Sequence, residues 1–586
     1  MEVVCGNLWD EADKMTPDQV TLQIISRSLL YASEEMGMAL RNSAYSPNIK
    51  ERMDHSAAVF DPQGRLLAQA EHIPVHLGSL PWGLRNLIDR CAREGIVLEG
   101  GSMVVANDPY ITGTHLNDVT LMAPIYHRGE LAAFAVNKAH HSDIGGAVPG
   151  SISMEARTLE QEGCVLEPTV LWKKGAFDDS VVERFASASR TPVERRGDLK
   201  AQVAANVSGT RRVREIIEKY GIDAFELSAS HSYRHSEALS KSRLARFRRG
   251  AHRGTDFLEG PEGEDIELRA KVTITSSGAV VDYAGTSREV DYPLNAVLGV
   301  TISGVYFVFR CLLGDDIPAN HGAFAPLEIR APSGTVLNPT RPHPVGGGNV
   351  ETSQRNADVI FRALASAARG RVPAASGGSM NNVMVGGRAG GSSWAFYETN
   401  GVGLGGSPQG DGTDGIQANM TNTMNTPIEA MERAFPLRIV RYEFRPDSSG
   451  PGKFRGGTGL VRSYQALADG TTFTIVADRG RRQPWGLGGG GPGSVTKVIV
   501  VKGGRRTEVP VKSTLTLDSG DAVELMTAGG GGYGKPKDRA RWSIDRDVKN
   551  GLLTAERVSL DYRNAGRRRS RTSRGPGTRY RRRSTP

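Results

Sequence analysis

The chain has 586 residues, 38% hydrophobic and 23% charged, long enough for about four domains of ~150 residues; this balance excludes an integral membrane protein and a mostly disordered one. The formal charge of +9 belongs to the end of the chain: residues 563–586 hold ten arginines and no acid, and the rest carries 63 basic against 64 acidic residues. A neutral body argues against nucleic-acid binding, and the basic end reads as a disordered tail.

Met1-Glu2-Val3-Val4-Cys5 lacks a basic region followed by an apolar run, so no secretory signal is expected. There is no run of 18 apolar residues and no membrane span is expected. Cysteines at 5, 91, 164 and 311 form neither a zinc knuckle nor a disulfide framework, and a reducing cytoplasm fits. Thr16-Pro17-Asp18-Gln19 reads as a capping box with Thr16 as N-cap. Leu22, Ile25, Leu29, Met36 and Leu40 then predict an amphipathic helix of about 25 residues. Ala57–Asp61 and Arg65–Gln69 read as a hairpin around Pro62-Gln63-Gly64, and Trp82 to Arg93 as a second helix. Met103–Ala106 reads as a buried strand, and Val119–Tyr126 with Glu130–Asn137 as a second hairpin. Residues 180–250 carry helical repeats, and Ile266–Asp282 alternates like strands. From 340 to 420 the chain is dense in Gly, Asn, Ser and Thr, and beyond 436 it reads as short strands with glycine turns.

The expected fold is therefore mixed α/β (α+β), with a helical N-terminal part and a glycine-rich, β-rich C-terminal half. We divide it into residues 16–260, 261–435, 436–562 and the Arg-rich tail 563–586. Glycine stands at 71 residues, about 12% against a usual ~7%. No P-loop, HExxH, CxxC or GxSxG occurs. Gly401-Val402-Gly403-Leu404-Gly405-Gly406 satisfies GxGxxG, but a loop and not a helix follows. These glycines are expected to permit positive φ and close backbone approach around a cavity or channel.

Three polar clusters carry the chemistry: Ser46–Ser56, Asn107–Asp118 and His140–Gly146. With the second hairpin turning near Arg128, His115 falls opposite about residue 141 and Asp118 opposite about residue 138. His115, Asp118 and the His140-His141 pair then meet at the open end of one hairpin. His115 and Asp118 are three apart, so 113–118 must be a turn entering the strand. Two imidazoles and one carboxylate suit a divalent transition metal, with Asp54 or Asp143 to complete it. A hydrogen-bonded polar cluster without metal is the competing reading. His72 and His76 are placed to line the same cavity or to be ordinary structural histidines.

The sequence resembles the hydantoinase B/5-oxoprolinase family at these clusters. It also matches at Ile73–Gly78, Ile317–Asn320, Gly348–Arg355, Thr421-Asn422-Thr423, Pro427–Glu429, Arg455-Gly456-Gly457 and Gly529–Gly534. The likeness runs over about residues 16–562. It implies the B-type subunit of a two-component, ATP-dependent enzyme, a hetero-oligomer whose A-type partner is an actin-fold ATPase that holds ATP and Mg²⁺. It implies hydrolysis of a cyclic amide such as hydantoin or 5-oxoproline, activated by phosphorylation and attacked by water at a zinc or manganese centre. Carried over residue by residue, the metal ligands are His115, Asp118 and His140, with Asp54 nearby. His141 or Asp143 would act as base or orient a ligand, and Asn349, Glu351 and Gln354 would line the substrate pocket. A ketone carboxylase subunit, as in acetone carboxylase, and a metal-binding partner without chemistry of its own are the alternatives. Two departures stand out: Gln417-Ala418-Asn419 lacks a histidine expected near the Thr-Asn-Thr motif, and the Arg-rich run replaces the usual tail.

Overall fold

A computed structural model describes residues 17–70, 72–563 and 565. The tail reading therefore falls almost wholly outside the described residues. The chain is mixed α/β, with four sheets among those residues. Seven strands make the first sheet: β1 (His55–Phe60), β2 (Leu66–Gln69), β3 (Met103–Ala106), β4 (Asp118–His127), β5 (Glu130–His140), β6 (Thr169–Lys173) and β7 (Ala176–Phe177). Their order is β2-β1-β5-β4-β3-β6-β7, which puts the β4–β5 hairpin at the centre.

Five helices frame this sheet and the chain beyond it: α1 (Gln19–Ser43), α2 (His76–Glu94), α3 (Pro192–Tyr220), α4 (Ile222–Leu244) and α5 (Leu298–Leu313). The N-cap of α1 is Asp18, not Thr16: its carboxylate accepts from the Thr21 N–H at 2.7 Å. Asp18 has an extended backbone, φ −66° and ψ 163°, and its carboxylate satisfies a free N–H of the first turn; Thr16 lies outside the described residues. α2 starts six residues before Trp82 and carries Pro81 inside it.

Alternation along β5 sorts its side chains between two layers. Phe134 and Val136 join Leu80, Leu84 and Leu87 of α2 in one apolar cluster. Ala133, Ala135 and Ala139 face the main core, with Ile25, Leu29, Met36 and Leu40 of α1 and Leu199 and Val203 of α3. Polar pins fix α3 to the sheet: Gln202 Nε2 donates to the Val119 carbonyl at 2.9 Å, and Asn137 Nδ2 donates to the Gln202 carbonyl at 2.8 Å. The main core runs on through Leu258, Val305, Ile360 and Met380 to Val476. A second core lies between the four-stranded sheet built on Asn382–Ala389 and the five-stranded sheet built on Leu460–Ala466.

The glycines of the C-terminal half pack backbone against backbone. A Cβ on Gly403 would lie 1.9 Å from the Gly457 carbonyl oxygen, and one on Gly530 would lie 2.0 Å from that of Leu404. Extended segments cross-bond directly, Gly457 N–H to Leu404 O at 2.7 Å and Gly530 N–H to Gly457 O at 2.9 Å. Close approach is thus the reason for the GxGxxG-like run; no positive φ occurs within Gly401–Gly406, and its neighbours are other backbone segments, not a channel.

Candidate metal centre

The β4–β5 register is offset from the one expected. Arg128 and Gly129 take φ of 49° and 91°, a two-residue turn, and a bulge between Ile125 and Tyr126 adds one further residue. Asp118 therefore pairs with His140 itself and not with residue 138, and both side chains leave the same face. The same alternation parts the two adjacent histidines. His141 turns toward α3: its Nε2 is 3.0 Å from Gln202 Oε1 and its ring meets Phe185 edge-on.

His115 arrives from a turn, as its three-residue spacing to Asp118 requires. Pro109–Thr112 forms one helical turn capped by the Asp108 carboxylate, and Gly113 leaves it at φ 87°. The Asp118 N–H closes back on the His115 carbonyl at 3.1 Å. Lys138, buried two residues before His140, donates to the Thr112 carbonyl at 2.7 Å and to Thr114 Oγ1 at 3.0 Å. Burial pushes its ammonium pKa down to about 7.

At the centre, His115 Nε2, His140 Nδ1 and Asp118 Oδ1 form a triangle with all three edges 3.1 Å. All three residues are buried and could hold a metal ion together. His115 Nδ1 lies 3.3 Å from the Gly346 carbonyl oxygen, which can only accept, so this nitrogen carries the proton and Nε2 presents a lone pair. His76 Nε2 donates to the other Asp118 oxygen at 3.2 Å, and its Nδ1 is 2.9 Å from Ser56 Oγ. Ser56, His76 and Asp118 are connected like a nucleophile triad, but Ser56 does not line the cavity, so it orients the imidazole instead. His115 Nε2 and Asp118 Oδ1 thus present lone pairs to one point beside His140 Nδ1, where a proton on that nitrogen or a metal ion satisfies them. Burial works against a charged His115, yet the neighbouring Asp118 and Asp54 carboxylates outweigh it and raise its pKa. The Asp118 carboxyl, although burial opposes this, is held well below its usual range by His115.

The triangle faces a cavity of about 20 Å³, room for one ion or one water. Its walls include Asp54, His76, Asn349, Tyr397, Thr399 and Thr421. Asp54 lines the cavity but lies outside the triangle; Asn48 Nδ2 approaches its carboxylate at 3.5 Å and holds the His140 carbonyl at 2.8 Å. The Tyr397 ring stacks on His140 at 4.6 Å. Asn349 lies in a π-helical turn, Gly348–Thr352, a conformation that recurs at functional sites; its buried Oδ1 has no partner.

Glu351 and Gln354 stand behind this wall: Glu351 Oε1 accepts from the Met380 N–H and Asn382 Nδ2, and Gln354 Nε2 donates to the Ala418 carbonyl. Burial, with Asp478 nearby, raises the Glu351 pKa to about 8. Asp143 is not brought to the cavity; it accepts from the N–H groups of Gly145, Gly150 and Arg190 and pairs with the Arg190 guanidinium at 3.0 Å. His72 packs on His55 with ring centroids 5.0 Å apart. Within Gln417-Ala418-Asn419, where the expected histidine is missing, Gln417 Nε2 donates to Thr399 Oγ1 at 3.1 Å.

Sequence reasoning did not find Lys138, Tyr397, Thr399 or Arg52. Arg52 is fully buried, forms no salt bridge to a carboxylate among the described residues, and spends its donors on neutral acceptors, among them Thr399 and Thr423. Lys138 alone carried a signal, a lysine inside an otherwise apolar strand two residues before a candidate ligand.

Fold and site together define a mixed α/β protein with a buried two-histidine, one-carboxylate cluster suited to a divalent ion. The chain belongs to the hydantoinase B/oxoprolinase family, whose pattern it matches over residues 18–536. It is 45% identical to an uncharacterized protein of Methanocaldococcus jannaschii, covering 93% of this chain and 96% of that one. The B-type component of a putative D-/L-hydantoinase of Pseudomonas sp. (strain NS671) is 31% identical, with 93% and 95% covered. The 5-oxoprolinase of Dictyostelium discoideum is 33% identical over 91% of this chain, which spans only 42% of that protein. Among solved structures, the ATP-dependent caprolactamase of Pseudomonas jessenii superposes with a TM-score of 0.87 at 27% identity, covering 93% of this chain and 96% of that one. An acetone carboxylase chain shares the fold, with a TM-score of 0.87 at 19% identity, covering 93% and 79%.

Proposed function

We propose that this chain is the B-type subunit of a cytoplasmic, ATP-dependent hydrolase that opens a hydantoin, 5-oxoproline or comparable lactam ring. An A-type partner of actin-like fold binds ATP and Mg²⁺ and phosphorylates the amide oxygen, and this chain completes the hydrolysis. The observation that carries the reading is the 3.1 Å triangle of acceptor atoms, buried and facing a cavity. His115, Asp118 and His140 would hold one divalent ion, zinc or manganese, with Asp54 in the lining of the same cavity. Bound there, the ion supplies Lewis acidity toward a carbonyl or phosphoryl oxygen.

The chain's own residues do the rest. Asn349, whose Oδ1 has no partner, lines the cavity and would accept the N–H that forms when water adds to the phosphorylated ring. Thr399 and Thr421 offer hydroxyls to its oxygens, with Thr399 held by Arg52 Nη2 at 2.8 Å. His141 and Asp143 do not line the cavity; they would act by packing behind it, against Gln202 and Arg190, and not by touching the substrate. A cavity of about 20 Å³ is smaller than a ring, so binding a ring requires some of its lining to shift.

The test is ring opening by purified protein. The chain alone should be inert toward 5-oxoproline, hydantoin and caprolactam. With its A-type partner, ATP and Mg²⁺ it should open one of them and release ADP and phosphate. Turnover that requires bicarbonate and a ketone would establish a carboxylase instead, and ring opening by the isolated chain without ATP would end the two-component reading.

A further inference from the structure

Glu162 lies at the end of a short 3₁₀ turn, Leu159–Glu162, and is fully buried with no cationic partner among the described residues. Its carboxylate accepts three contacts from two consecutive backbone N–H groups: Val345 to Oε2 at 3.0 Å and to Oε1 at 3.1 Å, and Gly346 to Oε1 at 2.6 Å. The next peptide along carries the Gly346 carbonyl, the acceptor for His115 Nδ1–H at 3.3 Å, one Cα beyond the N–H that Glu162 holds. The turn carrying Glu162 is itself tied to this loop, the Leu159 N–H donating to the Pro342 carbonyl at 3.1 Å. A buried charge satisfied only by backbone N–H groups fixes the orientation of those peptides, because any rotation leaves it unsolvated. A Cβ at Gly346 would stand 2.9 Å from Glu162 Oε1 and press on this carboxylate. Three residues on, the same loop presents Asn349 to the cavity.

We propose that Glu162 is a positioning residue for the metal centre, holding the 345–346 peptides so that the Gly346 carbonyl locks His115 in the Nδ1–H tautomer with Nε2 free for the ion. The proposal rests on the metal reading above for its consequence but not for its geometry. Partners of this kind raise the basicity of an imidazole ligand, and their loss costs about 10–100-fold in metal affinity. Glutamine keeps the volume of Glu162 but sets an NH₂ group against two N–H donors. Burial raises the Glu162 pKa to about 7, with the two peptide N–H groups opposing it, so measurements belong at pH 8, where the carboxylate is ionised.

The experiment uses the full chain as wild type, Glu162→Gln and Gly346→Ala, the last pushing on the same carboxylate from the other side. Two quantities are read: zinc and manganese affinity by competition with a chromophoric chelator, and the His115 tautomer by ¹⁵N NMR of the metal-free protein. The expected result is an Nδ1–H tautomer in wild type, loss of that preference in both variants, and metal affinity lower by about 10–100-fold. A purely structural role would lower the melting temperature and leave the tautomer unchanged, and that outcome overturns the proposal, as does unchanged affinity in both variants. If wild type binds neither ion, the metal reading of the site falls, while the tautomer comparison still decides the role of Glu162. Should Glu162→Gln not fold, Gly346→Ala decides alone.

Discussion

The equal edges of the donor triangle predict the coordination geometry of the ion. Adjacent donors on an octahedron are separated by √2 times the bond length, and on a tetrahedron by 1.63 times. Edges of 3.1 Å therefore place an octahedral ion about 2.2 Å from each donor and a tetrahedral one about 1.9 Å away, where Zn–N bonds run ~2.0–2.1 Å. The triangle as it stands lies nearer the octahedral solution, and tetrahedral zinc would need its edges to open to about 3.3 Å. A facial arrangement of two imidazoles and one carboxylate leaves three positions open, and Asp54 lines the same cavity. We expect manganese to bind six-coordinate, with metal–donor distances of about 2.2 Å by X-ray absorption and a near-symmetric Mn(II) EPR spectrum. His115→Ala with His140→Ala should abolish stoichiometric binding by elemental analysis. A four-coordinate ion at about 2.0 Å would refute the geometric reasoning, and equal metal content in wild type and the double variant would refute the site.

Three further outcomes follow from the same structure. Because β5 sends adjacent histidines to opposite layers, His141→Gln should keep full metal content while losing about 1–2 kcal/mol of stability through its Gln202 contact; metal loss equal to that of His140→Ala would contradict the register. Gly530→Ala places a methyl 2.0 Å from the Leu404 oxygen and should cost more than about 4 kcal/mol in urea unfolding, whereas Gly410→Ala meets nothing within 4 Å and should stay within about 0.5 kcal/mol. Glu351 has its pKa raised from 4.5 to about 8 in the folded chain, so the unfolded state ionises first and stability declines as pH rises from 4.5 toward 8, by about 1.4 kcal/mol per unit. Glu351→Gln removes that slope, and its stability advantage over wild type should be absent near pH 4.5 and largest at pH 8; an advantage independent of pH would show that the carboxyl ionises normally.

The parts of this molecule legible in its sequence are those set by local rules. Leu22 to Leu40 announced α1 by spacing, and the strand at Met103–Ala106 ran as read. The three residues of the triangle were within reach because two lie at one end of a hairpin and a turn was needed to bring in the third. What failed was register: the two-residue turn at Arg128-Gly129 and a bulge at Ile125/Tyr126, invisible in composition, each moved the pairing by one residue, and the partner of Asp118 from about residue 138 to His140. A two-residue shift leaves the face unchanged, so alternation alone sets His140 beside Asp118 and His141 away from it, but only the true register puts His140 directly opposite. The rest of the cavity comes from segments more than 200 residues away, Asn349, Tyr397, Thr399 and Thr421, whose only local signature is abundance of small polar residues. Glu162 was hidden for a different reason. Its role lies in which peptides it holds, and nothing in Gln161-Glu162-Gly163 distinguishes a buried carboxylate from a solvated one. The glycines gave half their meaning: density implied close packing of backbone, and only the fold could show that the neighbours are other glycine segments, which lock the C-terminal half into the wall that carries Thr399 and Thr421. The candidate ion ligands thus come from one hairpin and the turn that enters it, while the rest of the lining comes from a distant, backbone-packed part of the chain, and only the fold could join the two.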